Sequence, residues 1–210
     1  MILKTEDLKN LDRIYRLNLI NSISGIKPAN LIATKSRSGQ DNVAIFSSVV
    51  HLGSNPPQLG FVMRPQVEPF TDTYTNILET GFYTINHVTD AFVKKAHYTS
   101  AKLKADESEF DVMAIQKQYI EDFFAPFVRS SPVKIGMKHL ESISLTNACI
   151  FIIGEIVLVD VLDTSVDKKG QLDLSAHKGV GISGLNTYHG LPKIETFPYV
   201  RENEIPTFDD

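Results

Sequence analysis

The stretch NVAIFSSVVHLGSNPPQLGFVMRP, residues 42–65, decides how the chain is read. Residues 42–52 predict one long apolar strand. Gly53-Ser54-Asn55-Pro56-Pro57 ends it, because a proline pair cannot continue a hydrogen-bonded ladder, and residues 59–63 resume as the next strand. Two adjacent hydroxyls, Ser47 and Ser48, interrupt the first strand at its most apolar point. Side chains alternate across a strand, so the two serines are expected on opposite faces, one of them inward. An unpaired buried hydroxyl costs about 1–3 kcal/mol, so the inward serine needs a partner.

Upstream, Gly25-Ile26-Lys27-Pro28 is a break, after which residues 29–34 read as a strand. Ser36-Arg37-Ser38-Gly39-Gln40-Asp41 follows as a hairpin connection, with Gly39 where positive φ is expected, so strand 42–52 should run antiparallel to its predecessor. Downstream, residues 71–81 carry hydroxyl and acidic side chains in front and Gly81 behind, the start and stop signals of a short helix. Residues 82–87 return to strand, and Asp90 is expected to cap a second helix over residues 91–96. Residues 100–109 give no assignment, and residues 112–127 stay open between helix and irregular structure. From Pro132 the alternation of Val133, Ile135 and Met137 predicts a strand that reaches Ile143 and Leu145 past a bulge, and residues 149–162 predict another long strand. Beyond Lys169-Gly170 no periodicity is evident. The first three strands leave no room for crossover helices, so the expected fold is mainly β: a closed antiparallel barrel with a few short helices, any one of which lying across the mouth would cover the open end.

A chain of 210 residues, 42% of them apolar, fits one domain over residues 1–210, with a core at about 17–165 and a C-terminal extension at about 166–210. Twenty-one basic residues stand against 25 acidic ones without a basic stripe, which argues against electrostatic nucleic-acid binding. Cys149 is the only cysteine and forms no internal disulfide, which suggests a reducing compartment. The N-terminus has no apolar stretch of signal-peptide length. The most apolar segment, residues 149–162, is too short for a bilayer and is interrupted by Gly154, Glu155 and Asp160. A soluble cytoplasmic protein without nucleic-acid or membrane partners is expected.

Several catalytic constellations are missing. The formal G-x-G-x-x-G match at residues 179–184 has only 26 residues after it, three of them proline, where a dinucleotide fold needs further βα units. Six histidines, at 51, 87, 97, 139, 177 and 189, show no metal-ligand spacing, so no metal site is expected. No G-x-S-x-G elbow occurs, and Cys149 sits in a predicted strand, away from any helix start. Two features remain. One is the hydroxyl- and amide-rich lining of the first hairpin: Asn30, Thr34, Ser36, Asn42, Ser47 and Ser48. The other is Thr71-Asp72-Thr73 with Asn76, preceded by Arg64. Capping alone explains the second, yet a helix start with hydroxyls and a nearby arginine also suits a phosphate. Together they suit a phosphorylated ring cofactor.

The ordered set PANLIAT at residues 28–34, Gly39, NVAIFSS at 42–48, NPP at 55–57, DTYTNI at 72–77 and GFYTIN at 81–86 resembles the flavin reductase-like, FMN-binding split-barrel proteins. Ser108-Glu109-Phe110-Asp111, Gly154-Glu155-Ile156 and Gly184-Leu185 with Tyr188 look like weaker markers of the same family. The resemblance implies a homodimer of Greek-key-like split barrels with FMN near the dimer interface. By position it places Thr34, Lys35 and Ser36 beside the isoalloxazine, Asn42, Ala44, Ser47 and Ser48 around the ring's polar edge and ribityl chain, and Arg64, Thr71, Thr73 and Asn76 towards the phosphate. Flavin carries the hydride chemistry itself, so no catalytic side chain is required. The expected activity is an NAD(P)H-dependent flavin reductase, using NADH or NADPH, with a monooxygenase or another electron acceptor as a downstream partner. A flavoredoxin-type electron carrier and a non-catalytic FMN-binding module are the alternatives. The chain has no tryptophan, which some members of that family carry near the flavin.

Overall fold

Residues 30–35, NLIATK, form a strand whose side chains feed two separate apolar clusters, and the fold is built on either side of it. The computed structural model describes residues 1–104 and 106–208. Residue 105, in the unassigned stretch 100–109, and residues 209 and 210, the end of the expected domain, lie outside the described residues. Helices α1 (Thr5–Asn10) and α2 (Arg13–Ser22) precede strands β1 (Lys27–Pro28), β2 (Asn30–Lys35), β3 (Asp41–Phe46), β4 (Val50–Ser54) and β5 (Pro57–Met63). Then come α3 (Asp72–Thr80), β6 (Phe82–His87), α4 (Val93–Tyr98), α5 (Glu109–Val112), β7 (Lys117–Gln118), β8 (Phe127–Val128), β9 (Val133–Ser144), β10 (Ile150–Val161), β11 (Val180–Ser183) and β12 (Thr187–Gly190).

The main sheet has the order β3-β2-β6-β9-β10-β5-β4, antiparallel throughout. It curls so that Ile32, Phe61, Tyr83, Ile85, Met137 and Ile152 meet inside. Leu31, Ala33 and Val43 point the other way and pack beneath Phe92 of the α4 N-cap, Phe110 of α5 and the hairpin residues Val180 and Ile182. Burial on both faces explains the unbroken apolar run Leu31-Ile32-Ala33 at the middle of β2. Helix α3 lies on β2, β3 and β6, with Thr73, Asn76 and Ile77 turned inward at helical spacing, and so covers one end of the barrel as expected. Gly81 ends it in the left-handed region at φ 76°, where a side chain would be strained.

Most predicted elements form, with four differences. The single strand expected over residues 42–52 is two strands, because β3 pairs with β2 whereas β4 pairs with β5 across the barrel. Asp90 caps no helix: its N–H donates to the Lys178 carbonyl and Thr89 bridges Gly179, so α4 starts only at Val93. Residues 112–127 resolve as largely irregular chain after α5, with β7 and β8 as a short pair. The chain beyond residue 165 also belongs to the core, since β11 and β12 form a hairpin beside β1 and Val180 and Ile182 are buried. That hairpin contains the glycines of residues 179–184. Gly181 has no room for a Cβ against Ile26 and Gly184 turns the chain, so they serve close packing in a strand and a turn. The expected bulge in β9 falls at Leu140, which the pairing with β10 skips.

At the end of β6, burial and the charge of neighbouring His177 hold the His87 imidazole down at about 4. The native state therefore favours neutral His87, while the unfolded chain protonates near 6.5. Its contribution is complete above pH 6.5 and is lost as pH falls towards 4. At about 1.4 kcal/mol per pH unit, urea unfolding should show up to about 3 kcal/mol of acid destabilisation from this group, and His87→Gln should flatten that slope.

Candidate functional site

The main sheet begins at β3 and ends at β4, and only residues 47–49 join these two edges. Strand β4 meets β5 no further along than the Val50–Gly60 pair, which leaves Val62 without a strand on that side. Ser48 fills the gap. Its hydroxyl donates to the Val62 carbonyl at 2.9 Å and accepts from the Val62 N–H at 3.0 Å, doing with one side chain what a neighbouring strand does with its backbone. The chain bends at Ser47, so strict alternation does not govern the two serines, and the partner of the half-buried hydroxyl is the seam itself. Beside the seam, β3 is a sheet edge. The Val43 N–H points away from β2 to Glu109 Oε2 at 3.4 Å, and the Asp41 carbonyl accepts from the Ser108 hydroxyl at 2.7 Å.

The structure brings four predicted residues into one buried network. Asn42 Oδ1 accepts from Thr73 Oγ1 at 3.0 Å and from Thr34 Oγ1 at 3.4 Å, and Asn76 Nδ2 donates to Thr34 Oγ1 at 3.0 Å. Asn42 Nδ2 in turn donates to Glu109 Oε2 at 2.9 Å. These groups satisfy one another, which burial requires, and they fasten α3 to the hairpin. Glu109 was visible in the sequence only within a family marker. It sits on a four-residue helix, 67 positions from Asn42, where no periodic pattern reveals its role. Burial, with a smaller push from the Asp72 charge, raises its carboxyl above the ordinary range.

The other predicted residues lie at the surface of the same region. Ala44 and Ser47 are half-buried along and just past β3. Ser36 is occupied within the hairpin turn, bonding Ser38 Oγ and the Gln40 N–H, and the adjacent Arg37 guanidinium donates to the Glu79 carbonyl of α3. Thr71 stands at the N-cap of α3, but its hydroxyl donates to Gln66 Oε1 at 2.8 Å and does not cap the helix. The first-turn N–H groups are therefore left without a side-chain acceptor, and Gln66, which accepts from Thr71, ties the backbone of exposed Arg64 to this turn. That donor set suits a phosphate, with the Asp72 carboxylate as the opposing charge in the same turn. Asn30 is set apart. It lies at the other end of β2, buried with neither amide atom partnered. A surface concavity of about 470 Å³ bordered by Phe110, Ile115, Lys117 and Arg129 contains none of the eleven predicted residues.

Residues 26–175 match the flavin reductase like domain family. The chain belongs to this family. A candidate flavin reductase with a split barrel domain, from Shewanella frigidimarina NCIMB 400, superposes with a TM-score of 0.91 at 44% identity over 95% of this chain and 100% of that one. Nitrilotriacetate monooxygenase component B from Bacillus cereus shares the fold at a TM-score of 0.83, with 18% identity over 94% of this chain and 98% of its own. Flavoredoxin of Desulfovibrio vulgaris (Miyazaki F) does so at 0.72, with 23% identity over 83% and 91%. The split barrel is thus the fold of this chain, and the seam with α3 across its end is how this member of the flavin reductase like family builds it.

Because Ser48 supplies both partners of Val62, Ser48→Ala should lower unfolding stability by about 1–3 kcal/mol, the cost of leaving part-buried backbone groups unpaired. Serine should be better tolerated than Thr or Ala at this position in a thermal unfolding series; a Ser48→Ala melting curve that overlays the unaltered one would make the hydroxyl dispensable to the barrel.

Proposed function

We propose that the protein is an FMN-binding oxidoreductase, an NAD(P)H-dependent flavin reductase that passes hydride from nicotinamide to flavin. The observation behind this reading is the polar network near the seam, where residues from Thr34 to Asn76 converge between the hairpin and α3. The uncapped start of α3 supports it. Its N–H groups and Arg64 would take the phosphate, while the Thr71 hydroxyl stays on Gln66 Oε1 and orders the approach to the helix start. The half-buried Ala44 and Ser47, with the edge of β3, would line the ring's polar side. Thr34, Asn42, Thr73 and Asn76 act behind them, holding hairpin and helix in register. Ser48 keeps its hydroxyl on Val62, so its share in binding falls to its backbone. FMN, when bound, supplies the two-electron chemistry, and the chain contributes binding, orientation and exclusion of water.

The same reading makes the protein a single-domain, cytoplasmic homodimer. Val50, Leu52, Ile143, Val157 and Val159, exposed on β4, β9 and β10, give a second copy an apolar face to cover. Among the described residues no helix is long and apolar enough to cross a membrane. The partner receiving the electrons is a monooxygenase or another acceptor protein, in keeping with the name of the Bacillus cereus neighbour.

The purified protein should bind FMN in an absorbance titration, bleach anaerobically with NADH or NADPH, and turn over added free flavin. Bleaching without turnover of free flavin would make it a carrier, and failure to bind FMN would remove the redox reading. Arg64→Ala should weaken FMN binding by about 1.5–3 kcal/mol, the scale of a charge-assisted hydrogen bond, with a smaller salt dependence than the unaltered protein.

A further inference from the structure

The chain's last tie to the barrel is at Leu191, whose carbonyl accepts from the Ser175 hydroxyl at 3.0 Å just after β12. Among the described residues, those from 192 to 208 form no strand or α-helix and make no hydrogen bond beyond their own short turn between Arg201 and Glu204. Their composition is nevertheless not that of a solvated tail, which is poor in aromatic and branched apolar residues because it has no surface to bury them on. Ile194 is 97% exposed, Phe197 75% and Tyr199 89%, and Ile205 and Phe208 follow, also exposed. Pro192, Pro198 and Pro206 fix φ along the segment, which lowers the entropy it loses on settling against a surface. The family domain covers residues 26–175, so this arm is an addition to it.

A receiving surface stands close to the root of the arm. Ile143, Val157, Val159 and Leu162 are exposed along β9, β10 and the residue after it, and the arm of their own chain leaves them bare. The loop that follows β10 and the first arm residues share one concavity of about 420 Å³, lined by Thr164, Val166 and Leu172 from the loop and by Leu191, Lys193 and Thr196 from the arm. An apolar arm rooted beside an apolar face makes the chain complementary to itself, because one two-fold axis lets each copy lay its arm on the other's face. The areas agree with this. Aromatic side chains bury about 150–250 Å² each, so Phe197, Tyr199 and Phe208 supply about 450–750 Å² of the roughly 800 Å² that each partner loses in a stable interface. We propose that residues 192–208 form an exchanged arm that lies on the β9–β10 face of a second copy of this chain, anchored by Ile194, Phe197 and Tyr199. The proposal rests on the homodimer reading above and names the segment that holds the two copies together.

The test is sedimentation equilibrium of the full-length protein over a wide concentration range, alone and with the pair Phe197→Ser and Tyr199→Ser. Both residues are exposed in the single chain, so the pair should leave circular dichroism unchanged while raising the dimer dissociation constant about a hundredfold, the scale of losing two interface anchors. Val159→Ser, on the receiving face, should weaken the dimer as well, and its effect should shrink when the arm pair is already present, since the two sides share one contact. Tryptic cleavage after Lys193 and Arg201 should be slow in the dimer and should quicken on dilution in step with the monomer fraction. A dimer as tight with the arm pair as without it would overturn the proposal. A cleavage rate independent of concentration would do the same, because the arm would then be free or held by its own chain. If the unaltered protein is a monomer at every concentration, the homodimer reading itself falls, and this appears before any variant is compared.

Discussion

The barrel depends on how its seam is closed. A sheet whose first and last strands follow one another in the chain has to bridge two edges with whatever connects them, and here the connection is three residues long. A serine at its centre gives and takes a hydrogen bond with the same residue of β5, which satisfies both polar groups of Val62. Closure through a side chain leaves β3 an open edge, whereas strand-to-strand closure would consume that edge. The open edge is then dressed by Glu109 and Ser108 from a distant segment. A closed interior and an accessible polar edge thus arise from one local arrangement.

The polar groups divide according to this geometry. Those turned to the interior, at Thr34, Asn42, Thr73 and Asn76, bond to one another and set how α3 sits on the hairpin. Linked hydrogen bonds between buried side chains hold hairpin and helix in one arrangement, which argues for a rigid support. Groups turned outward, at Lys35, Arg64 and the start of α3, keep free donors or charge. Rigid interior and available exterior are what a protein needs when it orients a cofactor that brings its own chemistry.

Much of this was legible locally. Gly39 and Gly81 marked a hairpin and a helix end correctly, since each occupies a left-handed turn conformation that a side chain resists. The alternation in β9 and β10 reported strands because one face of each is buried. Reading failed where a local signal met a distant partner. Asp90 looked like a cap, yet its N–H goes to Lys178, and residues 42–52 looked like one strand, yet their two halves belong to opposite sides of the barrel. The eleven candidate site residues were named as a set from their order and spacing, but the division between support and surface was not readable, because burial depends on what α3 and α5 cover.

The sequence by itself therefore determined most of the strands, the turns, the helix after residue 71 and the membership of a family, all of which rest on patterns within a few residues or on their order along the chain. Only the tertiary structure decided how Ser48, Glu109 and Lys35 are held. Each is placed by residues brought close by folding: Val62 completes the seam with Ser48, Asn42 and Val43 hold Glu109, and the rings of Tyr119 and Phe124 flank the Lys35 ammonium. Hydrogen bonds and cation–ring contacts act over a few ångströms of space, and the chain's numbering does not record that distance.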